Sequence, residues 1–333
     1  MQPRPTLKSL AATLGLHVST VSRILNGAPE AAGRAASPEV VGRVRALARE
    51  LNYRPNPQAL SLKTQRSRDV GVLLPRLADP LAARLFEGIE DAAQAAGYSV
   101  FACPTQDDPR RSLDRAEKAL QRQVAGLVLG DCHLGDTRLL DTLAAQRVPY
   151  VLVGRQQPGQ PGIGCDDEAA GRAVAEHFLR KGRRRLGVLA GPAHSSPGQD
   201  ALRGFAAACQ QAGVPLAPEQ VVHGAVSAQA GREQGERLLG LGVDAVFALD
   251  DLLALGVASA AQARGQLLGR ELALVGYNDL PWAAELPVPL ASVSVPAERM
   301  GRLALQMLLR RVDGKAANPL VLAPEVLLRA SAG

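Results

Sequence analysis

The chain has 333 residues, of which 47% are hydrophobic and 21% charged, and its formal net charge is +6. The composition is typical of a folded globular protein, and the length exceeds what one hydrophobic core usually organises, so we expect two or three domains. No apolar run reaches the ~18 residues of a membrane-spanning helix, and the first residues lack the apolar segment of a signal peptide, so we expect a cytoplasmic protein.

The excess positive charge lies in the first fifth of the chain. Residues 1–68 hold eleven basic and three acidic side chains, whereas the remainder holds 27 basic and 29 acidic ones. A basic segment attached to a nearly neutral body indicates a polyanion-binding module joined to a part with another role. A basic disordered tail is the alternative, but apolar residues recur at helical spacing in this segment.

Two short helices are predicted near the N-terminus. Thr6 can cap a helix that begins at Leu7. Gly15 can end it in the left-handed conformation of a tight turn, and a second helix follows from about Val18 to Asn26. The apolar residues at three- and four-residue steps are Leu7, Leu10, Ala11 and Leu14 in the first helix and Val21, Ile24 and Leu25 in the second. Two helices that cross steeply at such a turn form a helix-turn-helix, whose second helix lies in the DNA major groove.

The outward face of the second helix is predicted to suit DNA. The residues of this face are His17, Val18, Ser19, Ser22 and Arg23. Arg23 can reach a guanine edge through two hydrogen bonds, and Val18 can touch a thymine methyl group. The short polar groups of Thr20, Ser22 and Asn26 suit phosphate oxygens. An ordinary helical hairpin with a solvated polar face is the alternative.

A third helix and a linker follow. Ser37, Pro38 and Glu39 supply a cap, a proline at the first helical position and an early acid. The apolar stripe of this helix is Val40, Val44, Leu47, Ala48 and Leu51. Beyond it, "LNYRPNPQALSLKTQRSRD" is rich in proline, polar and basic residues, which indicates a linker. The predicted segments are a helix-turn-helix domain over 1–54, a linker over 55–68 and a larger core over 69–329.

"TLKSLAATLGLHVSTVSRILNG", followed by "SPEVVGRVRALARELNYRPN" and then "VGVLLP", resembles the lactose-repressor (LacI/GalR) family of bacterial transcription regulators. The resemblance covers essentially the whole chain and includes the core segments "VDAVFALDDLLALGVASA" and "LALVGYNDLP". It implies a dimer whose two heads read the halves of a near-palindromic operator in double-stranded DNA.

The resemblance also implies how the linker acts. Residues around 56–64 become a hinge helix only on DNA, and a leucine of that helix is wedged into the minor groove at the centre of the operator. The alignment of "RPNPQALSL" places Leu62 at the wedge and Ala59 one turn before it. The remaining residues assigned to DNA binding are Thr6, Tyr53 and Asn56.

Three departures from the family pattern affect the head. His17 stands where the family usually has serine, so the cap of the second helix is altered. Pro57 follows Asn56 and can shift where the hinge helix starts. The segment "APEAAGRAA" is longer than the usual loop before the third helix, and its Arg34 either contacts a backbone phosphate or is solvated.

Residues 69–329 alternate short apolar, β-rich runs with alanine-rich stretches of helical period. This repetition predicts parallel sheets with helices on both faces. The resemblance implies two such units, so the predicted fold class is an all-α helix-turn-helix head plus an α/β, bilobed periplasmic-binding-protein-like core of two doubly wound parallel-sheet lobes. The lobes predicted by family analogy are residues 69–163 with 293–319, and 164–291 with 320–329.

A small-molecule effector is expected in the cleft between the lobes, at the carboxyl ends of the strands. The candidate effector-binding residues, which follow strand ends or lie in adjacent loops, are Asp79, Leu81, Asp131, Arg155, Gln199, Asp250, Asn278 and Trp282. Sugar rings stack on indole faces, so Trp282 suggests a sugar, although it could instead pack within a lobe. Each lone acid could instead cap a helix.

Departures from the family pattern limit the chemical class of the expected effector. Gln199 stands where sugar-responsive members usually carry arginine, and Asp250 stands where asparagine is frequent. The positive charges of Arg76 and Arg155 are compatible with an anionic ligand. The predicted effector is therefore a sugar or a sugar acid.

Other functional classes fit poorly. "GLGVDA" imitates a dinucleotide-binding turn but precedes a strand instead of following one. The chain has no G-x-S-x-G or H-E-x-x-H motif, its five histidines are scattered and its four cysteines form no C-x-x-C pair, so no catalytic residue, cofactor or metal site is predicted. We predict an allosteric transcriptional repressor that acts as a homodimer and is not an enzyme. A stand-alone solute-binding protein without a DNA role is the alternative.

Overall fold

A computed structural model of the chain describes residues 5–26, 33–53 and 67–333. The chain divides into two units, residues 1–67 and 68–333. The helices of the first unit are α1 (Leu7–Leu14), α2 (Val18–Asn26) and α3 (Pro38–Glu50). Among the described residues, no helix combines the length and the apolar character needed to cross a membrane.

The small core of the first unit forms as the apolar spacing predicts. The Thr6 side chain accepts a hydrogen bond from the Ser9 amide at 3.1 Å, and Gly15 ends α1 with a left-handed backbone (φ 65°). The buried side chains are Leu10, Ala11, Val21, Ile24, Val44 and Ala48. The prediction for Leu51 is wrong, because α3 ends at Glu50 and the Leu51 residue beyond its last turn is 41% exposed.

The first lobe of the second unit is built on a six-stranded parallel sheet, in the order β11-β5-β4-β3-β1-β2. Its strands are β1 (Asp69–Leu74), β2 (Ser99–Pro104), β3 (Gly126–Leu129), β4 (Tyr150–Val153), β5 (Gly162–Cys165) and β11 (Leu320–Leu322). Its helices are α4 (Pro80–Ala96), α5 (Pro109–Gln121), α6 (Arg138–Ala145) and α11 (Ala297–Val312).

The second lobe repeats this plan with the strand order β12-β10-β9-β8-β6-β7, in which only the edge strand β12 is antiparallel among the described pairings. Its strands are β6 (Leu186–Gly191), β7 (Val221–His223), β8 (Ala245–Ala248), β9 (Ala273–Asn278), β10 (Ala291–Ser294) and β12 (Glu325–Leu327). Its helices are α7 (Asp167–Arg180), α8 (Ser196–Gln211), α9 (Ala228–Gly240) and α10 (Asp251–Ala263).

The chain passes between the lobes three times, between β5 and α7, between β10 and α11, and between β11 and β12. These crossings correct the predicted lobe boundaries. Residues 320–322 pair with Ile163–Cys165 and so extend the first sheet, although we expected residues 320–329 in the second lobe. Conversely, β10 lies in the second sheet, although the first lobe was expected to resume at residue 293. Strands of three or four residues carry too little periodic signal to assign them to a sheet.

Helices α7 and α8 of the second lobe touch backbone to backbone. A Cβ atom added at Gly204 would lie 1.9 Å from the Glu168 carbonyl oxygen, and one added at Gly171 would lie 1.9 Å from that of Ala201. Neither carbonyl is the end of a flexible side chain, so the two helices would have to move apart. These two glycines therefore set the helix spacing on one face of the second sheet.

We expect Gly204→Ala to lower the free energy of unfolding by about 1–3 kcal/mol, as overpacking of a dense core does. The measurement is urea unfolding followed by circular dichroism. Gly240→Ala is the matched control, because the nearest atom to its added Cβ lies 3.9 Å away on Arg264. The control should be neutral or stabilise the protein by up to about 1 kcal/mol, the usual gain of alanine over glycine in a helix. Equal stability of the two variants would contradict the close approach.

Candidate DNA-reading helix and effector cleft

Helix α2 has a buried apolar side and an exposed polar side. Val21 and Ile24 are almost fully buried, whereas His17, Val18 and Arg23 are exposed. Ser19, Thr20, Ser22 and Asn26 lie between these extremes. The helix therefore presents a mostly polar surface that begins at its N-terminus, where the helix dipole favours a phosphate.

His17 replaces the usual serine without loss of a cap on α2. Its Nδ1 accepts a hydrogen bond from the Ser19 amide at 3.3 Å and lies 2.7 Å from the Ser19 hydroxyl oxygen. The imidazole nitrogen thus takes the place of the side-chain oxygen that normally accepts a free amide at a helix start. The substitution of histidine for serine thus changes the acceptor atom of the cap, and the start of the helix stays capped.

Two other predicted DNA-binding residues, Thr6 and Tyr53, have structural roles in the head. Thr6 caps α1, and the half-buried Tyr53 packs against the head core while its amide donates to the Ala48 carbonyl at 2.8 Å. Asn26 donates to the Ser22 hydroxyl at 3.4 Å, and Arg34 is exposed. The predictions for Asn56, Pro57, Ala59 and Leu62 lie outside the described residues.

The second unit contains a cavity of about 40 Å³ between its lobes. Its lining residues are Leu81, Leu85, Gly154, Cys165, Asp167, Pro197, Tyr277, Asn278, Val295 and Met300. Leu81 and Asn278 belong to the predicted effector set. Asn278 ends β9 with a backbone conformation that is strained for a non-glycine residue (φ 96°), so its neighbours must hold it in place.

Two of the predicted acids are helix caps, and their charges interact. Asp79 accepts from the Leu81 amide at 2.9 Å, and Asp250 accepts from the Leu252 amide at 2.7 Å and from Asn278 Nδ2 at 2.9 Å. Burial raises the pKa of Asp79. Burial, with smaller contributions from the Asp79 and Asp251 charges, raises the pKa of Asp250 to about 8. The capping alternative therefore holds for both acids, and each accepts a hydrogen bond from a residue that lines the cavity, Leu81 for Asp79 and Asn278 for Asp250.

Asp131 and Gln199 each keep a buried polar atom without a hydrogen-bond partner among the described residues. Asp131 accepts from the Ser112 hydroxyl through Oδ2, but its Oδ1 is unpaired, and burial raises its pKa. It lines a second cavity, of about 140 Å³, in the first lobe. The Gln199 Nε2 is likewise buried and unpaired.

Arg155 is not free to meet a ligand, because it forms an ion pair with Asp107. Its Nη2 lies 3.1 Å from Asp107 Oδ2, and its Nη1 bonds the other oxygen. His133 Nε2 and His194 Nε2 each lie 3.0 Å from one oxygen of the same carboxylate. The interpretation of the histidines as scattered is wrong for His133 and His194, whose rings stack at 3.7 Å.

Sequence reasoning missed this cluster of Asp107, His133, His194 and Arg155. A signal was present for three of its members, because Asp107, His133 and His194 each follow a strand end, just as the chosen acids do. Trp282 lies elsewhere. It packs against the apolar cluster of the second lobe that includes Ala283 and Leu290, in line with the packing alternative.

The described geometry agrees with comparisons to known proteins. Residues 6–56 match the family of bacterial regulatory proteins of the lacI type, and residues 175–332 match the periplasmic binding protein-like domain. The HTH-type transcriptional repressor PurR of Photobacterium profundum is 26% identical over 98% of each chain. The chain is therefore similar along its length to bacterial regulatory proteins of the lacI type.

Two further LacI-family proteins show that the likeness spans both units. The ribose operon repressor of Escherichia coli (strain K12) is 28% identical over 92% of this chain and 93% of its own. The lac repressor dimer bound to operator and the anti-inducer ONPF is 25% identical, covers 99% of both chains and superposes with a TM-score of 0.89. The chain is thus a DNA-binding transcriptional regulator with an effector-binding core.

The raised pKa of Asp250 predicts a pH-dependent stability. The folded protein keeps the Asp250 proton from about pH 4, where an unfolded aspartate loses it, up to about pH 8. The free energy of unfolding should therefore fall as the pH rises through this window. Asp167 and Asp251, whose pKa values burial raises to about 7 and about 6, act in the same direction.

We expect Asp250→Asn to flatten this decline without abolishing it, in urea unfolding measured between pH 5 and pH 8. Asp91→Asn, which changes an exposed carboxyl on α4, is the control and should leave the slope as it is. A slope that is the same in the Asp250 variant and in the unaltered protein would mean that Asp250 does not hold its proton.

Proposed function

We propose that this protein is a sequence-specific repressor whose affinity for its operator is controlled by a small polar effector bound between the two lobes. The observation that carries the proposal is the exposed polar face of α2, opposite a buried apolar side, in a chain that also has a two-lobed core with a polar cleft. A reading helix and a ligand cleft in one chain support regulation, and neither needs catalysis.

On the DNA side, Arg23 would read a base edge, and the hydroxyls of α2 would contact phosphates. Two copies of the chain would place two heads on the halves of a near-palindromic site. Leu62 would enter the minor groove between them, as the family pattern implies. A homodimer bound to double-stranded DNA is therefore the proposed active form.

On the effector side, the cleft favours a neutral, hydroxyl-rich ligand such as a sugar. Asp79 and Asp250 lie beside the lining residues Leu81 and Asn278, and the raised pKa of Asp250 leaves it a protonated carboxyl that can both donate to and accept from a sugar hydroxyl. A sugar acid is the second candidate, but its carboxylate would have to displace Asp107 from Arg155. The existing ion pair thus favours the sugar over the sugar acid.

The proposed coupling runs through the angle between the lobes. An effector that binds one lobe arrangement better than the other shifts the population toward it, and only this difference in affinity can change operator binding. Allosteric coupling of this kind is usually ~1–3 kcal/mol per ligand. In the inducer sense proposed here, the hinge segments separate, Leu62 withdraws and operator affinity falls.

We expect Arg23→Ala to weaken binding to the selected operator by about 1–3 kcal/mol and to relax the preference at one base pair. The measurement is fluorescence anisotropy on an operator obtained by selection from random duplexes, followed by single-base variants. Arg237→Ala removes an exposed arginine from α9 of the core and is the control, which should leave operator binding unchanged. An equal loss on every sequence would make Arg23 a phosphate contact, and weak, sequence-independent binding by the unaltered chain would favour the solute-binding alternative.

For the effector, we expect a neutral sugar to bind and to release the operator complex, in calorimetric titrations of sugars, sugar acids and nucleosides repeated with DNA present. Asp250→Asn should weaken the binding of that sugar, because the amide nitrogen only donates, whereas the carboxyl oxygen that it replaces can both donate and accept. Trp282→Phe is the control, since this side chain lies in the apolar cluster of the second lobe. Tighter binding of a sugar acid would reverse the proposed order, and tighter operator binding with ligand would make it a corepressor.

A further inference from the structure

The proposed function leaves the cluster of Asp107, His133, His194 and Arg155 without a role. We propose that Asp107, His133 and His194 form a binding site for a divalent transition-metal ion of the Zn²⁺ type, which ties the first lobe to the second. Neither DNA reading nor sugar binding requires such an ion, so this inference stands apart from the proposed function.

The three ligand atoms already lie at the spacing that a metal site needs. Each imidazole directs Nε2 at one Asp107 oxygen from 3.0 Å, and the three ligand atoms all lie within 4.8 Å of one another. Zinc bonds imidazole nitrogen and carboxylate oxygen at about 2.0–2.2 Å, so tetrahedral ligands are roughly 3.3 Å apart. A small rotation of the partly exposed His194 ring would therefore bring both nitrogens and one oxygen onto a common ion.

The chemistry of the ligands fits the same class of ion. Two imidazoles and one carboxylate suit zinc and its first-row neighbours, whereas calcium and magnesium favour sets of oxygen ligands. Asp107 is ion-paired to the Arg155 guanidinium through both of its oxygens. The carboxylate is thus an anion, as a metal ligand must be.

Arg155 is compatible with the ion as an orienting partner. A carboxylate has about four acceptor positions, and the two Arg155 hydrogen bonds occupy one on each oxygen. The other position on each oxygen faces a histidine, and a metal would enter there. Outer partners that fix a ligand carboxylate in this way are a regular part of metal sites.

The site spans the two lobes. Asp107 and His133 follow β2 and β3 of the first lobe, whereas His194 follows β6 of the second. The Leu134 amide also donates across this junction, to the His194 carbonyl at 2.8 Å. An ion held by all three side chains would resist separation of the lobes at this edge of the cleft.

The test is calorimetric titration of the full chain with Zn²⁺, together with the visible absorption of Co²⁺ in its place. We expect one ion per chain, and we expect His194→Gln, His133→Gln and Asp107→Asn each to weaken binding by at least about 10–100-fold, the loss that even outer partners cause. His223→Gln is the control, because this histidine lies outside the cluster and should leave binding unchanged. Circular dichroism establishes that each variant is folded.

Lobe bridging is read out by hydrogen exchange. Zn²⁺ should slow exchange of the Leu134 amide in the unaltered chain and leave it unchanged in His194→Gln, once circular dichroism has shown that this variant is folded. The proposal is overturned if the unaltered chain binds neither ion at about 1 mM, a concentration on the order of the weakest metal sites. It is equally overturned by Zn²⁺ affinity that survives in the His194 and Asp107 variants. All these measurements proceed without DNA or sugar, so failure of the proposed function leaves them unaffected.

Discussion

Parallel strand pairing is the constraint on which the cleft depends. In a parallel sheet all strands end at the same edge, so the loops that follow them meet there regardless of their distance along the chain. Asp79, Asp107, His133 and Arg155 follow four different strands of the first sheet. The second sheet brings the loops after its own strands to the same place, and the two edges together form the polar cleft.

The side chains of the cleft fall into two sets with different electrostatic states. In one set, a single carboxylate is surrounded by a guanidinium and two imidazoles, so its charge is fully compensated. In the other set, burial raises the pKa values of the Asp79 and Asp250 carboxyls, and the Arg155 charge opposes this shift at Asp79 only as a smaller contribution. Burial of a carboxyl costs free energy that hydrogen bonds offset, so a hydroxyl-bearing ligand could add favourable hydrogen bonds at the second set.

The sequence predicts the head and the alternation of the core because both depend on local periodicity. Val21 and Ile24 recur at helical spacing on a short segment, and the structure buries them. Caps are also local, which is why Thr6 and Ser37 could be read in advance. Leu51 was wrongly placed on the apolar stripe of the third helix, since periodicity does not show where a helix ends.

Other features depend on pairings that no local pattern encodes. His133 and His194 lie far apart along the chain and belong to different lobes, yet their rings stack. The strand Leu320–Leu322 joins the first sheet by pairing with β5, which lies far from it along the chain. Trp282 was ambiguous because a sequence gives its place in a loop but not the direction in which its side chain points. In each case the missing information is the three-dimensional neighbour.

The size and position of the cavity suggest why ligand binding and lobe angle are linked. A cavity of about 40 Å³ holds a few water molecules, whereas pockets for small organic ligands measure about 300–1,000 Å³. A sugar that occupied this cavity would therefore have to move its walls apart. Cys165, Asp167 and Val295 line the cavity and lie at two of the three points where the chain passes between lobes. A ligand that widens this space acts directly on the segments about which the lobes would rotate, so the energy of binding and the energy of lobe movement are coupled at the same residues.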